Sequence, residues 1–474
     1  TATGLTVNAG SVSGTTNGIE AVNSGTGPLV VTASGAVRGG SGAGISTQSK
    51  AGSTVTINLT PTASVSATSG AAIVDGDGNA TMTLGAGALV TGSIALGAGN
   101  DTLTIAEGAS LAGITTLDGG AGAFIDTLNL NTQFTGAINS WEIVNANTSN
   151  GNITLNGGIS GADQFNKSGT GILTITGPNA LTGPTVVSGG RLVVNGSLAG
   201  SAVTVQNGAS LGGTGTTGSL NALSGSIIAP GNSIGTLSVN GNLSLAAGST
   251  LSIEVSPTSA DMIAVTGTAS IAGNLVIIPE AGNFSARSYT LITASAVSGT
   301  FATTTFGSLA SAFRTSVVYT GTTVSLRLDP NSLVDIAGGT LRGNALAVAR
   351  SFDTAVAGGY NPQAFFNLYA LGANLPAALG QFSGELHSAE RRVALQDSRT
   401  VRETAFDRLN DGLFAGAGSA AVTNEDVGST RTIWMRAAGS WGKAKADGVG
   451  ARFTTDQTGF LLGADFANDG FKLG

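Results

Sequence analysis

Apolar and polar residues alternate with a period of two along most of the first 330 positions. Short alternating runs stand between clusters of Gly, Asn, Ser and Asp, as at 29–32, 54–59, 102–105 and 127–130. In such a run one face is buried and the other is solvated. The turn-and-strand unit recurs about every twenty residues, which predicts coils that stack and share one core. A right-handed parallel β-helix is therefore expected, with an antiparallel sandwich as the alternative, although a sandwich normally carries more aromatic anchors.

The second half of this region has the densest aliphatic pattern. Pairs two residues apart recur between Gly or Asn turns, as in Leu237/Val239, Leu243/Leu245, Leu251/Ile253 and Ile263/Val265. Aromatic residues then accumulate between positions 284 and 328, namely Phe284, Tyr289, Phe301, Phe306, Phe313 and Tyr319. Large side chains can close the open end of a coil stack, which otherwise exposes apolar surface and unpaired backbone groups. We therefore expect a cap at 284–329.

After Asp329-Pro330 the period changes from two to about 3.6. A helix is predicted with Leu346, Ala349, Phe352 and Val356 on one face, ending at 358–359. Leu375-Pro376 opens a long helix, in which Arg399 and Glu403 form an i,i+4 pair. A short polar loop is expected to separate this helix from the strands that follow.

Two amphipathic strands are predicted near the end of the chain, at 432–442 and 458–467. Arg436 and Asp465 fall on one side of these strands. The opposite side is apolar and contains Ile433, Met435, Trp441, Phe460, Leu462 and Phe466. Strands with one apolar and one polar face are typical of outer-membrane barrels.

Several stretches resemble one family. Residues 167–198 resemble the passenger-associated transport repeat of autotransporters, and 203–255 resemble the passenger segment that usually follows it. Residues 375–441 resemble the junction of a monomeric autotransporter of the type V secretion class. The resemblance implies a mainly β protein: a pertactin-like β-helix passenger, a short α-helical junction, and the first strands of a truncated outer-membrane antiparallel β-barrel. It also divides the chain into N-terminal coils (1–164), C-terminal coils with the transport repeat (165–283), a cap or autochaperone region (284–329), a helical linker with a pore helix (330–430) and the start of the barrel (431–474).

The resemblance also implies roles for individual residues. Arg399 and Glu403 would belong to a pore helix, and Arg436 and Asp465 would face the barrel lumen. Ile433, Met435, Trp441, Phe460, Leu462 and Phe466 would face lipid. The implied location is the bacterial outer membrane with the passenger at the cell surface, and the implied partners are that membrane, the barrel-assembly machinery and periplasmic chaperones.

Charge and composition narrow the function. The chain has a formal charge of −7 and no Cys, which excludes disulfides and thiolate metal sites. Residues 1–164 contain two basic residues, Arg38 and Lys50, and nine acidic ones. Such a surface repels nucleic acid, so no nucleic-acid partner is expected. No apolar run is long enough for a transmembrane helix.

Catalytic chemistry is sparse in the sequence. The one His is His387, and there is no G-x-S-x-G nucleophile motif, so a Ser-His-Asp site is not expected. Asp75 and Asp77 are the best local carboxylate pair. The prediction is a non-enzymatic passenger for adhesion, autoaggregation or surface coating, an adhesin or virulence factor whose glycan or protein target is not readable. The alternatives are a glycan hydrolase or lyase that uses loop carboxylates, and a free secreted β-solenoid.

One motif concerns metal binding. Residues 97–103 and 119–128 resemble the Gly- and Asp-rich calcium repeats of RTX β-rolls, with Asp101 and Asp126 as the candidate ligands. The copies are too far apart and too degenerate to supply six to eight oxygens. No cofactor is therefore expected, with calcium left open.

Overall fold

The computed structural model describes residues 3–309, 313–358, 367–369, 371–410, 419–426, 429–445, 453–468 and 471–473. The chain divides into two compact units, Thr1–Asp329 and Pro330–Gly474. The first unit is a parallel β-solenoid, and the second combines helices with a small antiparallel sheet. The expected β-helix fold is confirmed, and the sandwich alternative is excluded because strands of successive coils pair in parallel.

The longest sheet of the solenoid, called the long sheet below, has fourteen parallel strands. They are Leu5–Ala9, Leu29–Ala33, Thr54–Leu59, Asn79–Leu84, Thr102–Ile105, Thr127–Leu130, Ile143–Asn147, Gln164–Ser168, Thr185–Val187, Val203–Val205, Leu220–Ala222, Leu243–Leu245, Thr268–Ile271 and Ala296–Gly299.

Two further sheets are formed by strands that lie, along the sequence, between or after the strands of the long sheet. A ten-stranded sheet serves the earlier coils, with strands Val12–Ser13, Ile19–Asn23, Ala36–Gly39, Ile45–Ser49, Ser64–Ala67, Ile73–Val74, Leu89–Ala95, Ile114–Asp118, Ala137–Asn139 and Ile159–Ser160. An eight-stranded sheet serves the later coils, with strands Ile153–Leu155, Ile172–Ile175, Arg191–Val194, Ser210–Gly213, Ile227–Pro230, Thr250–Val255, Asn274–Pro279 and Thr303–Thr305.

A seven-stranded sheet contains the remaining strands of the later coils. Its strand pairing changes from parallel to antiparallel at the end. Its strands are Ser197–Leu198, Thr216–Thr217, Thr236–Val239, Met262–Val265, Arg287–Thr293, Phe313–Tyr319 and Thr323–Pro330. Arg287–Thr293 pairs in parallel with the preceding coil and antiparallel with Thr323–Pro330. Tyr289, Phe301 and Phe313 are buried here. The parallel stack therefore ends in an antiparallel hairpin.

The core lies between the sheets and is built from stacked aliphatic residues. Val31, Ile57 and Met82 occupy equivalent inward positions of successive coils and are buried. Each buried side chain of this size contributes about 1.5–3 kcal/mol. The predicted pairs are buried as expected: Leu237, Val239, Leu243, Leu245, Leu251, Ile253, Ile263 and Val265.

The second unit begins with helices. These are Leu333–Ile336, Gly343–Ala357, the 3₁₀ turn Gly372–Asn374, Leu375–Gln381 and Glu385–Asn410. The helix with Ala349 at its buried position ends at Gly358, as expected. The single long helix expected from position 375 is instead two helices, because Gly384 has a positive φ of 71° between them. Within the described residues, no helix is both long and apolar enough to cross a membrane.

Four antiparallel strands follow: Ser419–Asp426, Ser429–Ala444, Phe453–Asn468 and Phe471–Leu473. The two central strands are longer than the sequence predicted and pair along their whole length. Ser419–Asp426 was expected to be part of a polar loop. In the structure it is a strand, and its residues pair antiparallel with Ser429–Arg436.

Candidate functional site

The outward side of the long sheet carries no charge, and we call it the neutral face. Of the residues in these fourteen strands the one charged residue is Lys167, which points inward and is buried. One outward column, read from the strand register, is Asn8, Thr32, Asn58, Thr83, Thr104, Asn129, Asn145, Asn166, Val186, Thr204, Asn221, Ser244, Ser270 and Ser298. Strands of the other sheets carry charged residues, among them Glu20, Arg38, Arg191 and Glu254. The neutral face is thus a long hydroxyl and amide surface on an acidic chain.

Part of that column is a hydrogen-bonded amide ladder. Asn166 donates to the side-chain oxygen of Asn145 at 2.9 Å, and Asn145 donates to that of Asn129 at 2.9 Å. Asn129 donates to the Thr104 hydroxyl at 3.3 Å. Such ladders form because equivalent residues of successive coils lie about 4.8 Å apart. An amide has two donors and two acceptor positions, so Asn145 keeps one N–H and one lone pair for an external partner.

A group of carboxylates lies at one edge of the same sheet, and we call Asp75, Asp101, Asp126 and Glu142 the acidic corner. Asp101, Asp126 and Glu142 each directly precede a strand of the long sheet. The backbone N–H of Asp126 donates to Glu142 Oε2 at 2.8 Å, and that of Asp101 donates to Asp126 Oδ1 at 2.7 Å. Ala80 N–H donates to Asp101 Oδ1 at 2.6 Å. The three aspartates are buried.

Burial is the largest cause of the pKa shifts of the three aspartates in this corner. It raises the pKa of the Asp101 carboxyl to about 8, and the charges of Asp126 and Asp75 add to the rise. Burial also raises the pKa of Asp75 to about 6 and that of Asp126 to about 6. Asp75 accepts a hydrogen bond from the Thr47 hydroxyl, while Asp77 accepts one from Gln48. Because Asp75 is only 2% exposed, the Asp75/Asp77 pair does not form an open catalytic site.

The calcium candidates Asp101 and Asp126 lie in adjacent coils. Each gives one carboxylate oxygen to a backbone N–H rather than leaving both for a metal. Among the residues that the structure describes, no group of three or more His, Cys, Asp or Glu is arranged to hold a metal ion.

Lys167 is a buried cation that the sequence analysis did not single out. Its ammonium lies within hydrogen-bond distance of four oxygens, which its three N–H groups share: Thr148 Oγ1 (2.8 Å) and the backbone oxygens of Ser168, Gly169 and Gly189 (2.9, 2.9 and 2.7 Å). Burial lowers its pKa to about 8. The alternation around Phe165 contained the signal, because a residue two positions after an inward Phe also points inward. Lys167 therefore joins three successive coils.

The remaining residues singled out from the sequence lie in the C-terminal unit. Arg399 and Glu403 form an ion pair at 2.6 Å, and Arg436 lies 3.9 Å from Asp407. Asp465 is buried and accepts a 2.9 Å hydrogen bond from the Trp434 ring N–H. The expected lipid-facing residues are exposed: Ile433, Met435, Trp441, Phe460, Leu462 and Phe466. Their membrane, lumen and pore roles stay predictions.

The structure places His387 on the surface of a helix. It is exposed on the helix Glu385–Asn410, and its Nδ1 lies 3.5 Å from Glu390 Oε2. A Ser-His-Asp site requires a histidine held between a serine and a carboxylate.

Two comparisons with known proteins find similarity over parts of this chain. Residues 165–194 match the family model described as the passenger-associated transport repeat. A curated relative, the extracellular serine protease of Serratia marcescens, is 27% identical over 357 residues, covering 65% of this chain and 34% of the relative. The chain thus spans about a third of that relative's length.

These comparisons correct one expectation. The prediction of a non-enzymatic protein is wrong, because this relative is a serine protease. His387 is the one histidine in this sequence, and the match covers 34% of the relative. The transport repeat, the similarity to an extracellular protease and the parallel β-solenoid together support an autotransporter passenger, at the outer membrane or outside the cell.

Proposed function

We propose that this chain belongs to an autotransporter that displays its β-helix at the bacterial cell surface. In this proposal a C-terminal barrel, assembled with the barrel-assembly machinery and periplasmic chaperones, holds the protein in the outer membrane. The apolar side chains exposed along Ser429–Ala444 and Phe453–Asn468 support that role. The solenoid would act as a long stalk with its own contact surface.

The neutral face is the observation that carries a binding role. Fourteen coils at about 4.8 Å spacing give a surface of roughly 60 Å with repeated hydroxyls and amides. A charged partner gains little from a surface without charges, whereas the −7 chain repels anionic ones elsewhere. We therefore propose a neutral, hydroxyl-rich polysaccharide as the partner, and adhesion as the role of this surface.

Binding to neutral and to anionic polysaccharides at rising salt concentration tests this role. Contacts made by uncharged groups are expected to persist as salt screens charges, since the Debye length falls to about 3 Å at 1 M. Selective, salt-insensitive binding of a neutral polymer is the expected result. Salt-sensitive binding, or binding between copies of this chain without any polysaccharide, would contradict the proposed partner.

A second function is favoured by the match to the Serratia serine protease. In this proposal the protein hydrolyses peptide bonds outside the cell, as the name of the relative states for that protein.

A fluorophosphonate probe that labels reactive serines tests the second function on the full-length protein. Labelling, together with cleavage of an unfolded protein substrate that the probe abolishes, is the expected result. Surface display without labelling or cleavage would contradict the second function.

A further inference from the structure

The acidic corner contains buried carboxylate oxygens without a hydrogen-bond partner. Among the described side chains, Asp75 Oδ2 and Asp101 Oδ2 are two such atoms. Asp101 is 0% exposed and Asp75 is 2% exposed. Burial without a hydrogen-bond partner disfavours the ionised form of a carboxyl group much more than its protonated form. The geometry therefore favours a proton on this corner.

Among the residues that the structure describes, no positive charge is a cause of the pKa shifts of these three aspartates. The basic residues of segment 1–164 are Arg38 and Lys50, and neither contributes to the pKa of Asp75, Asp101 or Asp126. The ionisable groups that do face the corner are further acids. Asp77 lies beside Asp75, while Asp118 and Glu142 face Asp126. Ionising one carboxyl makes ionisation of the next one harder.

The corner also joins coils directly. Asp126 N–H to Glu142, Asp101 N–H to Asp126 and Ala80 N–H to Asp101 form a continuous series that connects four successive coils. Repulsion within this series acts on the stacking itself, because solenoid stability depends on the interfaces between neighbouring coils.

We propose that the acidic corner makes the stability of the N-terminal coils depend on protonation. Its protonated carboxyls stabilise the stacking of these coils, and their ionisation destabilises it. The folded state keeps protons that the unfolded chain has already lost. Between a pH of about 4, where an unfolded Asp titrates, and about 8 for Asp101, folding binds protons. Stability from this corner is therefore highest in acid and falls as the pH rises through that window.

Thermal unfolding of the full chain at pH 5, 7 and 9 and constant ionic strength tests this dependence of stability on protonation. The N-terminal transition is expected to move down by about 5 °C or more from pH 5 to pH 9. Asp101→Asn should flatten that dependence and melt above wild type at pH 9. Asp163→Asn is the matched control, because Asp163 also directly precedes a strand of the long sheet but is exposed. It should retain the wild-type dependence.

Infrared spectroscopy gives a second readout on the unaltered chain. A protonated-carboxyl band is expected at pH 7, and Asp126→Asn provides a further variant if Asp101→Asn does not fold. Equal pH dependence in wild type and Asp101→Asn, or absence of the protonated band, would overturn the proposal. So would a rise in melting temperature on adding Ca²⁺ at pH 8 that Asp101→Asn abolishes, because a metal rather than a proton would then neutralise the corner.

Discussion

The side-chain amide of Asn166 donates a 2.9 Å hydrogen bond to the side-chain oxygen of Asn145 in the preceding coil. The two residues are 21 positions apart and occupy equivalent places in paired strands. Since both side chains point outward, the bond stabilises the stack and also fixes the orientation of surface amides. This links the stability of the coils to the chemistry of the neutral face.

Asn145→Asp tests both the stability of the coils and binding at the neutral face. Aspartate cannot donate to Asn129, so one ladder bond is lost at a cost of about 1 kcal/mol. The new charge should also weaken binding of a neutral polysaccharide about tenfold or more, because the carboxylate must be desolvated against an uncharged partner. Denaturant unfolding and binding isotherms measure the two effects.

Two controls separate charge on the face from damage to the ladder. Asn221→Asp places the same charge on the neutral face at an exposed position, so it should weaken binding with little change in stability. Thr115→Asp places it on an exposed position of the ten-stranded sheet and should change neither. If Thr115→Asp weakens binding as much as Asn221→Asp, the neutral face is not the contact surface.

Lys167→Met removes the buried ammonium while keeping the length of the side chain. The substitution leaves Thr148 Oγ1 and three backbone oxygens without the cation that they surround. We expect a loss of about 2–4 kcal/mol in the free energy of unfolding, since hydrogen bonds to charged groups contribute about 1.5–3 kcal/mol each and part of that is offset by desolvation of the charge. Lys50→Met is the control, because Lys50 is exposed. A loss no larger than that of the control would show that the buried ammonium does not stabilise the repeat.

Gly190→Ala addresses the backbone that shapes the Lys167 site. Gly190 has a φ of 60°, and an added Cβ would lie 2.3 Å from Gly171 O and 2.8 Å from Lys167 Nζ. Gly208→Ala is the matched control, because its φ is 78° but its Cβ would contact nothing within 4 Å. The control should lose about 1 kcal/mol from backbone strain, and Gly190→Ala should lose clearly more in urea unfolding. Equal losses would mean that the Lys167 site tolerates the added methyl group.

The sequence predicted the coils well but not their register. Period-two alternation identified inward pairs such as Leu237 and Val239, because it depends only on neighbours within one strand. The acidic corner depends on which residues of different coils meet. Asp101 and Asp126 are 25 positions apart, whereas Asp126 and Glu142 are 16 apart, since the connecting turns differ in length. No fixed repeat in the sequence could align these residues.

The order in which the coils unfold is the last prediction. Residues 165–329 contain the Lys167 site, dense aliphatic pairs and the antiparallel end, whereas the N-terminal coils contain the acidic corner. Solenoids can unfold in parts because each coil contacts mainly its neighbours. At pH 8 we expect hydrogen exchange in a urea series to open residues 3–164 first, with 165–329 protected to higher urea. At pH 5 the difference should narrow, because protonation relieves three buried carboxyls in the N-terminal coils, Asp75, Asp101 and Asp126, but only one such carboxyl, Asp261, among those with a raised pKa in residues 165–329. Lys167 stays charged at this pH. Earlier opening of 165–329, or one cooperative transition with the same midpoint throughout at both pH values, would refute this order.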